Sequence, residues 1–288
     1  MTPTAASPFR DDAVGRLVVC PTPIGNLQDV TLRVLAALAQ ADVVACEDTR
    51  HTRVLLDRHG ISAKLVSFHE HNERQRTTAL LERVRAGALV ALVSDAGTPL
   101  VSDPGFALVR ECIAAGLALE VLPGPSAVLT ALVASGLPAE RWRFVGFLPR
   151  ARGELAALLA GAAETLVAFE SPRRVATTLE LLAAPEPERA VAVCRELTKV
   201  HEEVRRGSAA ELAVHFRETP ARGEVVLVVG ASARAAADGV RLREALEAVE
   251  ELIDAGARAR RAAGVVARLT DLGANALYRE LMRARRGA

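Results

Sequence analysis

Short, mostly apolar runs recur along the first 122 residues, at 16–20, 42–46, 64–68, 89–93 and 118–122. Val, Leu and Ala fill consecutive positions in these runs rather than alternate ones. Each reads as a strand, and Leu-Val-Ala-Leu-Val at 89–93 as a buried one. Between most of the runs, apolar residues repeat at helical spacing and predict helices up to Ala39 and over 49–59, 73–86 and 106–115. Asp29 or Thr31 caps the first of these. Strands alternating with helices predict a largely parallel sheet.

The pattern changes at Pro123-Gly124-Pro125, which stops the fifth strand and redirects the chain. Ser126 then caps a small-residue helix over 127–135. Strands follow at 144–147, 165–169, 190–194, 202–206 and 224–229, with helices at 152–159, 171–182 and 209–216. The run Val-Val-Leu-Val-Val at 225–229 suits a central buried strand. Some of these strands have no helix between them, so a mixed sheet is expected. After Gly230 the composition shifts to Ala, Arg and Glu, with helices at 242–255, 258–269 and 275–285. The fold class is therefore α/β. Residues 1–14 form a mobile extension, 15–122 and 123–235 form two α/β domains, and 239–288 form a small basic helical extension.

Half of the residues are hydrophobic and a quarter charged, as in a folded globular protein. The net charge of +1 does not by itself point to nucleic acid. Residues 256–288 differ, because eight arginines there oppose only Asp271 and Glu280. That stretch is either a footprint for a phosphate backbone or a solvated arginine-rich face. Cys20, Cys46, Cys112 and Cys194 lie far apart in apolar surroundings and read as reduced core thiols of a cytoplasmic protein. No run is long enough for a membrane span, and residues 1–14 lack the pattern of a secretory signal. Neither G-x-G-x-x-G nor G-x-x-x-x-G-K-[ST] occurs, so neither phosphate-cradling loop is supported.

Three polar clusters, at 47–51, 69–72 and 94–99, fall at carboxyl ends of predicted strands. In a parallel sheet those ends share one edge, where ligands bind. The third cluster opens a twelve-residue loop, 94–105, between a strand and a helix. Structureless loops of that length are usually functional. Gly97 and Gly105 allow close backbone approach, Pro99 and Pro104 stiffen the loop, and Asp95 and Asp103 supply carboxylates. Asp103 is expected to cap the following helix, with Pro104 at its first position.

Eight motifs then stand in order. They are Pro-Thr-Pro-Ile-Gly-Asn-Leu at 21–27, Glu-Asp-Thr-Arg at 47–50, Phe-His-Glu-His-Asn at 68–72 and Asp-Ala-Gly-Thr-Pro at 95–99. Ser-Asp-Pro-Gly at 102–105, Pro-Gly-Pro-Ser-Ala at 123–127, Phe-Glu-Ser-Pro-Arg-Arg at 169–174 and Arg-Glu-Leu-Thr-Lys at 195–199 complete the set. Together they resemble the tetrapyrrole methylase superfamily, and within it the branch that methylates the ribose 2′-hydroxyl of cytidine 1402 in 16S ribosomal RNA. The resemblance covers roughly 17–230, with a weaker match at the C-terminus.

The resemblance implies S-adenosylmethionine (SAM) folded between the two domains. Asp95, Ala96, Gly97, Thr98 and Pro99 would line it, with Ser126 and Ala127 on the hinge side. Glu170, Ser171, Leu197, Thr198 and the Gly223-Glu224 region would face its adenosine from the second domain. Methyl transfer is an in-line displacement that needs alignment and no covalent protein intermediate. Glu47, Asp48, His51, His69 and Glu70 are the candidate general bases for the hydroxyl. Each also suits a plain role as a cap or ion-pair partner, Asp48 above all as the cap of the helix from Thr49. His69-x-His71 has no identifiable third ligand, so no metal is expected. Arg50, Arg53, Arg173 and Arg174 would hold flanking phosphates, and Arg258, Arg260 and Arg261 would contact RNA from the terminal helices. The implied partners are 16S rRNA or the small ribosomal subunit and a second copy of the chain. Two alternatives stay open: a methylase of porphyrin or corrin rings, and a non-catalytic RNA-binding protein with a SAM fold. Ring methylases usually carry a Gly-x-Gly-Pro-Gly loop where this chain has Pro-Thr-Pro-Ile-Gly-Asn.

Overall fold

A computed structural model describes residues 15–270 and 272–287. The extension expected at 1–14 lies outside the described residues. The first sheet comprises β1 (Arg16–Val19), β2 (Val43–Cys46), β3 (Leu65–Ser67), β4 (Leu89–Leu92) and β5 (Ala118–Val121). Its order is β3-β2-β4-β1-β5 and every pairing is parallel. The helices α1 (Leu32–Gln40), α2 (Thr49–Arg58), α3 (Glu73–Arg85) and α4 (Phe106–Ala114) alternate with the strands. The consecutive apolar positions serve two cores. Val18 and Cys20 pack with Val34, Leu38 and Leu56 on one face, while Leu17 and Val19 pack with Leu80, Val84 and Leu108 on the other. Thr31, not Asp29, caps α1, its hydroxyl accepting from Val34 N at 3.2 Å. Asp29 instead closes a single 3₁₀ turn.

The second sheet comprises β6 (Trp142–Phe147), β7 (Thr165–Glu170), β8 (Ala190–Arg195), β9 (Glu203–Ser208) and β10 (Val225–Val229) in the order β6-β7-β10-β8-β9. Only β6–β7 is parallel, which gives the mixed sheet expected. β10 is central and buried throughout. The helix α5 (Ala127–Ser135) covers one face through Val128, Ala131 and Leu132. The helices α6 (Arg152–Ala160), α7 (Val175–Ala183) and α8 (Ala209–Glu218) cover the other. Ile24, from the loop after β1, joins the core beneath α5 and so docks the first sheet onto the second.

Two helix starts differ from expectation. Residues 171–174 form a turn in which Arg174 N donates to Ser171 O at 2.8 Å, so α7 begins only at Val175. The helix α9 (Ala233–Asp254) begins well before 242 because Ser232 caps it, accepting from Ala235 N at 3.2 Å. With α10 (Ala259–Leu269) and α11 (Ala274–Gly287) it encloses a core of its own around Val249, Val266, Leu277 and Leu281. Among the described residues, no helix is long and apolar enough to cross a membrane.

Candidate active site

The loop after β1 and the loop after β4 are stitched together at the sheet's carboxyl edge. Thr22 N donates to Gly97 O at 2.9 Å, and Gly97 N returns a bond to Thr22 O at 3.0 Å. The Thr22 hydroxyl donates to Ser94 O at 3.0 Å, and the Thr98 hydroxyl reaches the hinge at Pro125 O, 3.1 Å away. Gly97 sits at φ +81°, where a β-carbon would also press on Ile24. Leu100, Ser102, Glu196 and Thr198 are the non-glycine residues at positive φ among the described residues. They fall in two loops, one after β4 and one after β8. Such strain costs about 1–3 kcal/mol per residue and persists only where the surroundings over-determine it.

Between the two sheets these loops enclose a cleft of about 330 Å³. Of the residues predicted to hold cofactor, Ala96, Gly97, Thr98, Ser126, Ala127, Glu170, Ser171 and Leu197 line it. Asp95, Pro99 and Thr198 do not. Asp95 accepts from Asp48 N at 3.0 Å and braces the end of β2. Pro99 is buried under its own loop. The Thr198 hydroxyl accepts from Asn26 N at 3.0 Å, tying the two sheets together. Glu170 contributes only backbone, because its carboxylate is buried, accepting from Ser171 N and from the Thr178 hydroxyl, both at 2.7 Å. Gly223 completes the far wall at φ +78°, where an added β-carbon would overlap the Glu196 carboxylate.

Asp103 does not cap α4. The cap position is Gly105, and the acceptor comes from α3, where Glu73 Oε1 takes both Gly105 N and Ala107 N at 3.1 Å. Asp103 is therefore left to line the cleft. Burial, with Glu47 and Asp95 nearby, pushes its carboxyl up to about 6. Local sequence hid this residue, because Ser-Asp-Pro-Gly is itself a helix-start pattern.

None of Glu47, Asp48, His69 and Glu70 lines the cleft itself. Asp48 caps α2, accepting from Arg50 N at 2.8 Å and from the Arg50 guanidinium at 2.9 and 3.2 Å. The Arg50 guanidinium holds its carboxyl down at about 2, which makes it a weak proton acceptor. Glu47 is pushed upward by burial and by Asp95. His69 Nε2 pairs with the Asn72 amide nitrogen at 3.1 Å. The amide orientation is set by His69 N donating to Asn72 Oδ1 and by Asn72 Nδ2 donating to Ser67 O. The other ring nitrogen, Nδ1, is buried without a partner among the described residues. Glu70 is exposed, and His51 borders a second cavity beside Asp95.

The arginines divide. Arg53, Arg173, Arg258, Arg260 and Arg261 are exposed, and Arg260 lies over the Tyr278 ring at 5.3 Å. Arg50 is exposed but engaged by Asp48. Arg174 is not available to a phosphate. It donates to Leu148 O at 3.3 Å and Pro149 O at 2.6 Å and faces the Glu170 carboxylate at 3.5 Å.

Residues 16–213 match the family described as Tetrapyrrole (Corrin/Porphyrin) Methylases. A Mesorhizobium japonicum protein named Ribosomal RNA small subunit methyltransferase I is 47% identical, over 92% of this chain and 91% of its own length. Proteins of the same name from Mycobacterium tuberculosis and Escherichia coli O157:H7 are 47% and 43% identical. They match over 94% and 93% of this chain and 96% and 95% of their own. Among solved structures, uroporphyrin-III-C-methyltransferase from Thermus thermophilus superposes with a TM-score of 0.53 at 26% identity, covering 75% of this chain and 94% of that one. Diphthine synthase shares the fold, with a TM-score of 0.59 at 18% identity over 75% of this chain and 90% of its own.

Proposed function

Because the chain belongs to the tetrapyrrole (corrin/porphyrin) methylase family, we propose that it transfers a methyl group from SAM to small-subunit ribosomal RNA, at the ribose 2′-hydroxyl of cytidine 1402. The observation that carries this reading is the cleft between the sheets, walled by strained loop backbone and lined by the Asp103 carboxylate. The residues present suit the cofactor. Ile24, Val128, Phe169 and Val226 offer apolar surface to an adenosine, and the loops offer backbone polar groups. Asp103 complements a cation. When bound, SAM supplies an electrophilic methyl on a sulfonium centre.

The chain's own residues do the rest. Ala96, Gly97, Thr98, Ser126 and Ala127 hold the cofactor from the first sheet and the hinge. Glu170, Ser171 and Leu197 hold it from the second sheet, and this fixes the line of attack. Of the predicted bases, Glu47 suits proton acceptance best, since its proton affinity is raised and no capping bond occupies it. The exposed Arg53, Arg173, Arg258, Arg260 and Arg261 give RNA phosphates a surface. A homodimer in the cytoplasm completes the proposal. The dimer is supported by the edge strand β5 and by exposed apolar side chains at Val121, Leu129 and Val133.

The test is transfer of labelled methyl from SAM to small ribosomal subunits taken from cells lacking this gene. Mapping should place the label on one cytidine ribose. Intact SAM binding with no label on RNA overturns the reading and redirects the search to tetrapyrroles.

A further inference from the structure

Phe147 is out of place for a strand residue. It is 67% exposed in a chain with 3% aromatic residues, yet it forms part of the cleft wall. Regular alternation would put Phe144 and Phe147 on opposite faces of β6. Instead, three steps on β6, from Phe144 to Phe147, match two on β7, from Val167 to Phe169. The extra residue is accommodated with Gly146 at φ +67°. The bulge returns Phe147 to the face of Phe144, and both rings pack against Phe169, with centroids 5.4 and 5.0 Å away. The ring is thus braced from behind and open in front. It stands at the cleft's outer end, where Gly146 approaches Ser102, next to Asp103. Deeper wall residues such as Ile24, Val128 and Val226 show only 5–8% of their surface, turned to the cleft.

A second feature surrounds the ring. Arg150 and Arg152 follow it in the chain, and Arg173 projects from the neighbouring loop after β7. All three are exposed, and none has an ion-pair partner among the described residues. Arg174 bonds to Leu148 O and Pro149 O and so holds the two loops together. These cations stand at the N-terminal ends of α6 and α7, where positive charge opposes the helix dipole. Glu154 in the first turn of α6 offsets part of that cost, and an anion held beside the exposed aromatic would offset more.

We infer that Phe147, Arg150, Arg152 and Arg173 form a subsite for one unpaired nucleotide of the RNA substrate, the ring stacking on its base and the guanidinium groups holding the adjoining phosphates. The inference rests on the proposed RNA methylation and adds the way the acceptor nucleotide is recognised. A ribose in a base-paired, stacked strand cannot enter a cleft between two sheets. Its base must leave the stack, and an aromatic face restores part of the stacking that is lost. Arginines flanking the ring position the backbone without reading sequence.

The experiment compares Phe147→Ala, Phe147→Leu and Phe147→Trp with the unmodified chain. SAM affinity is read by calorimetry, and kcat and KM are read on small-subunit RNA. An RNA oligonucleotide with the fluorescent base pyrrolocytosine at the acceptor position gives a direct signal of stacking. Phe147→Ala and Phe147→Leu should raise KM for RNA about ten- to a hundredfold and abolish quenching. SAM affinity should not change, and Phe147→Trp should restore both RNA readouts. Reversing Arg150 and Arg152 to Glu should weaken RNA binding and flatten its salt dependence. A loss of SAM affinity that matches the loss of activity assigns the ring to the cofactor's adenine and overturns the subsite. Unchanged RNA kinetics and quenching in all three variants overturn it as well. Quenching by the unmodified chain without methyl transfer keeps the subsite and rejects the proposed reaction.

Discussion

Replacing Asp103 by Asn should make the protein more stable and a poorer binder of SAM. The carboxyl is raised from its ordinary 3.8 to about 6, chiefly by burial. At ~1.4 kcal/mol per pKa unit, ionising it costs about 3 kcal/mol. Partial exposure reduces that to ~1–2 kcal/mol. A raised carboxyl destabilises the fold above pH 6. As pH falls from 6 towards 3.8 the folded state takes up the proton first and the penalty fades. Urea titrations at pH 7.5 should therefore show the Asn variant ahead by ~1–2 kcal/mol, with the gap closing towards pH 4. Cofactor affinity runs the other way, because the cation needs the ionised acid. At pH 7.5 the variant loses a charge-assisted contact of ~1.5–3 kcal/mol, roughly ten- to a hundredfold in Kd. In the unmodified chain only about one acid in eleven is ionised at pH 5, so affinity there should be about tenfold weaker than at pH 7.5. Calorimetry at pH 5, 6 and 7.5 measures both effects. A flat profile in the unmodified chain refutes the reasoning, and a slope that persists in the variant transfers it to Glu47.

Glu73→Ala should lower stability by ~1–2 kcal/mol in urea, because two N–H groups at the start of α4 lose their acceptor, and Glu73→Gln should lose less. Arg189 is buried and donates to Gly230 O and Leu159 O at 2.7 Å and to Glu186 at 2.8 Å. Arg189→Met should cost ~3–5 kcal/mol by the same titration. Gly223→Ala forces a β-carbon onto Glu196 at positive φ, so calorimetry should show SAM affinity falling at least about tenfold as the cleft wall shifts. Burial pushes the Cys20 thiol up to about 12 and the Cys194 thiol to about 11. Neither should react with a thiol reagent at pH 8 until denaturant is added, which mass spectrometry would show.

The strands were legible because each doubly buried run has apolar residues at consecutive positions, and Val225–Val229 shows it most plainly. The edge on which Glu47, His69 and Asp95 gather was legible too, since parallel strands send their carboxyl ends the same way. What escaped depended on partners distant in sequence. Asp103 looked like a cap because the true acceptor, Glu73, belongs to another helix. Arg174 looked free because the carbonyls it holds lie about 25 residues upstream. The strand ending at Phe147 was legible, but the extra residue that turns Phe147 onto the face of Phe144 was not. The early start of α9 was obscured by Asp238-Gly239, poor helix formers that its Ser232 cap overrides.

The placement of strain separates the two binding tasks of the cleft. Leu100 and Ser102 on one side and Glu196 and Thr198 on the other hold left-handed conformations that a free loop would abandon. They persist because each loop is anchored to the opposite sheet's neighbourhood: Thr98 to the hinge, Thr198 to Asn26, and Ile24 within the core beneath α5. The inner cleft is therefore set before a cofactor arrives, and little ordering entropy is left to lose on binding. The outer end has the opposite character. Arg150, Arg152 and Arg173 are long, exposed and unpaired among the described residues, so their ordering is deferred until a polyanion meets them. A rigid inner site and an adaptable charged rim suit a small invariant cofactor and a large RNA whose target must first be drawn out of its stack.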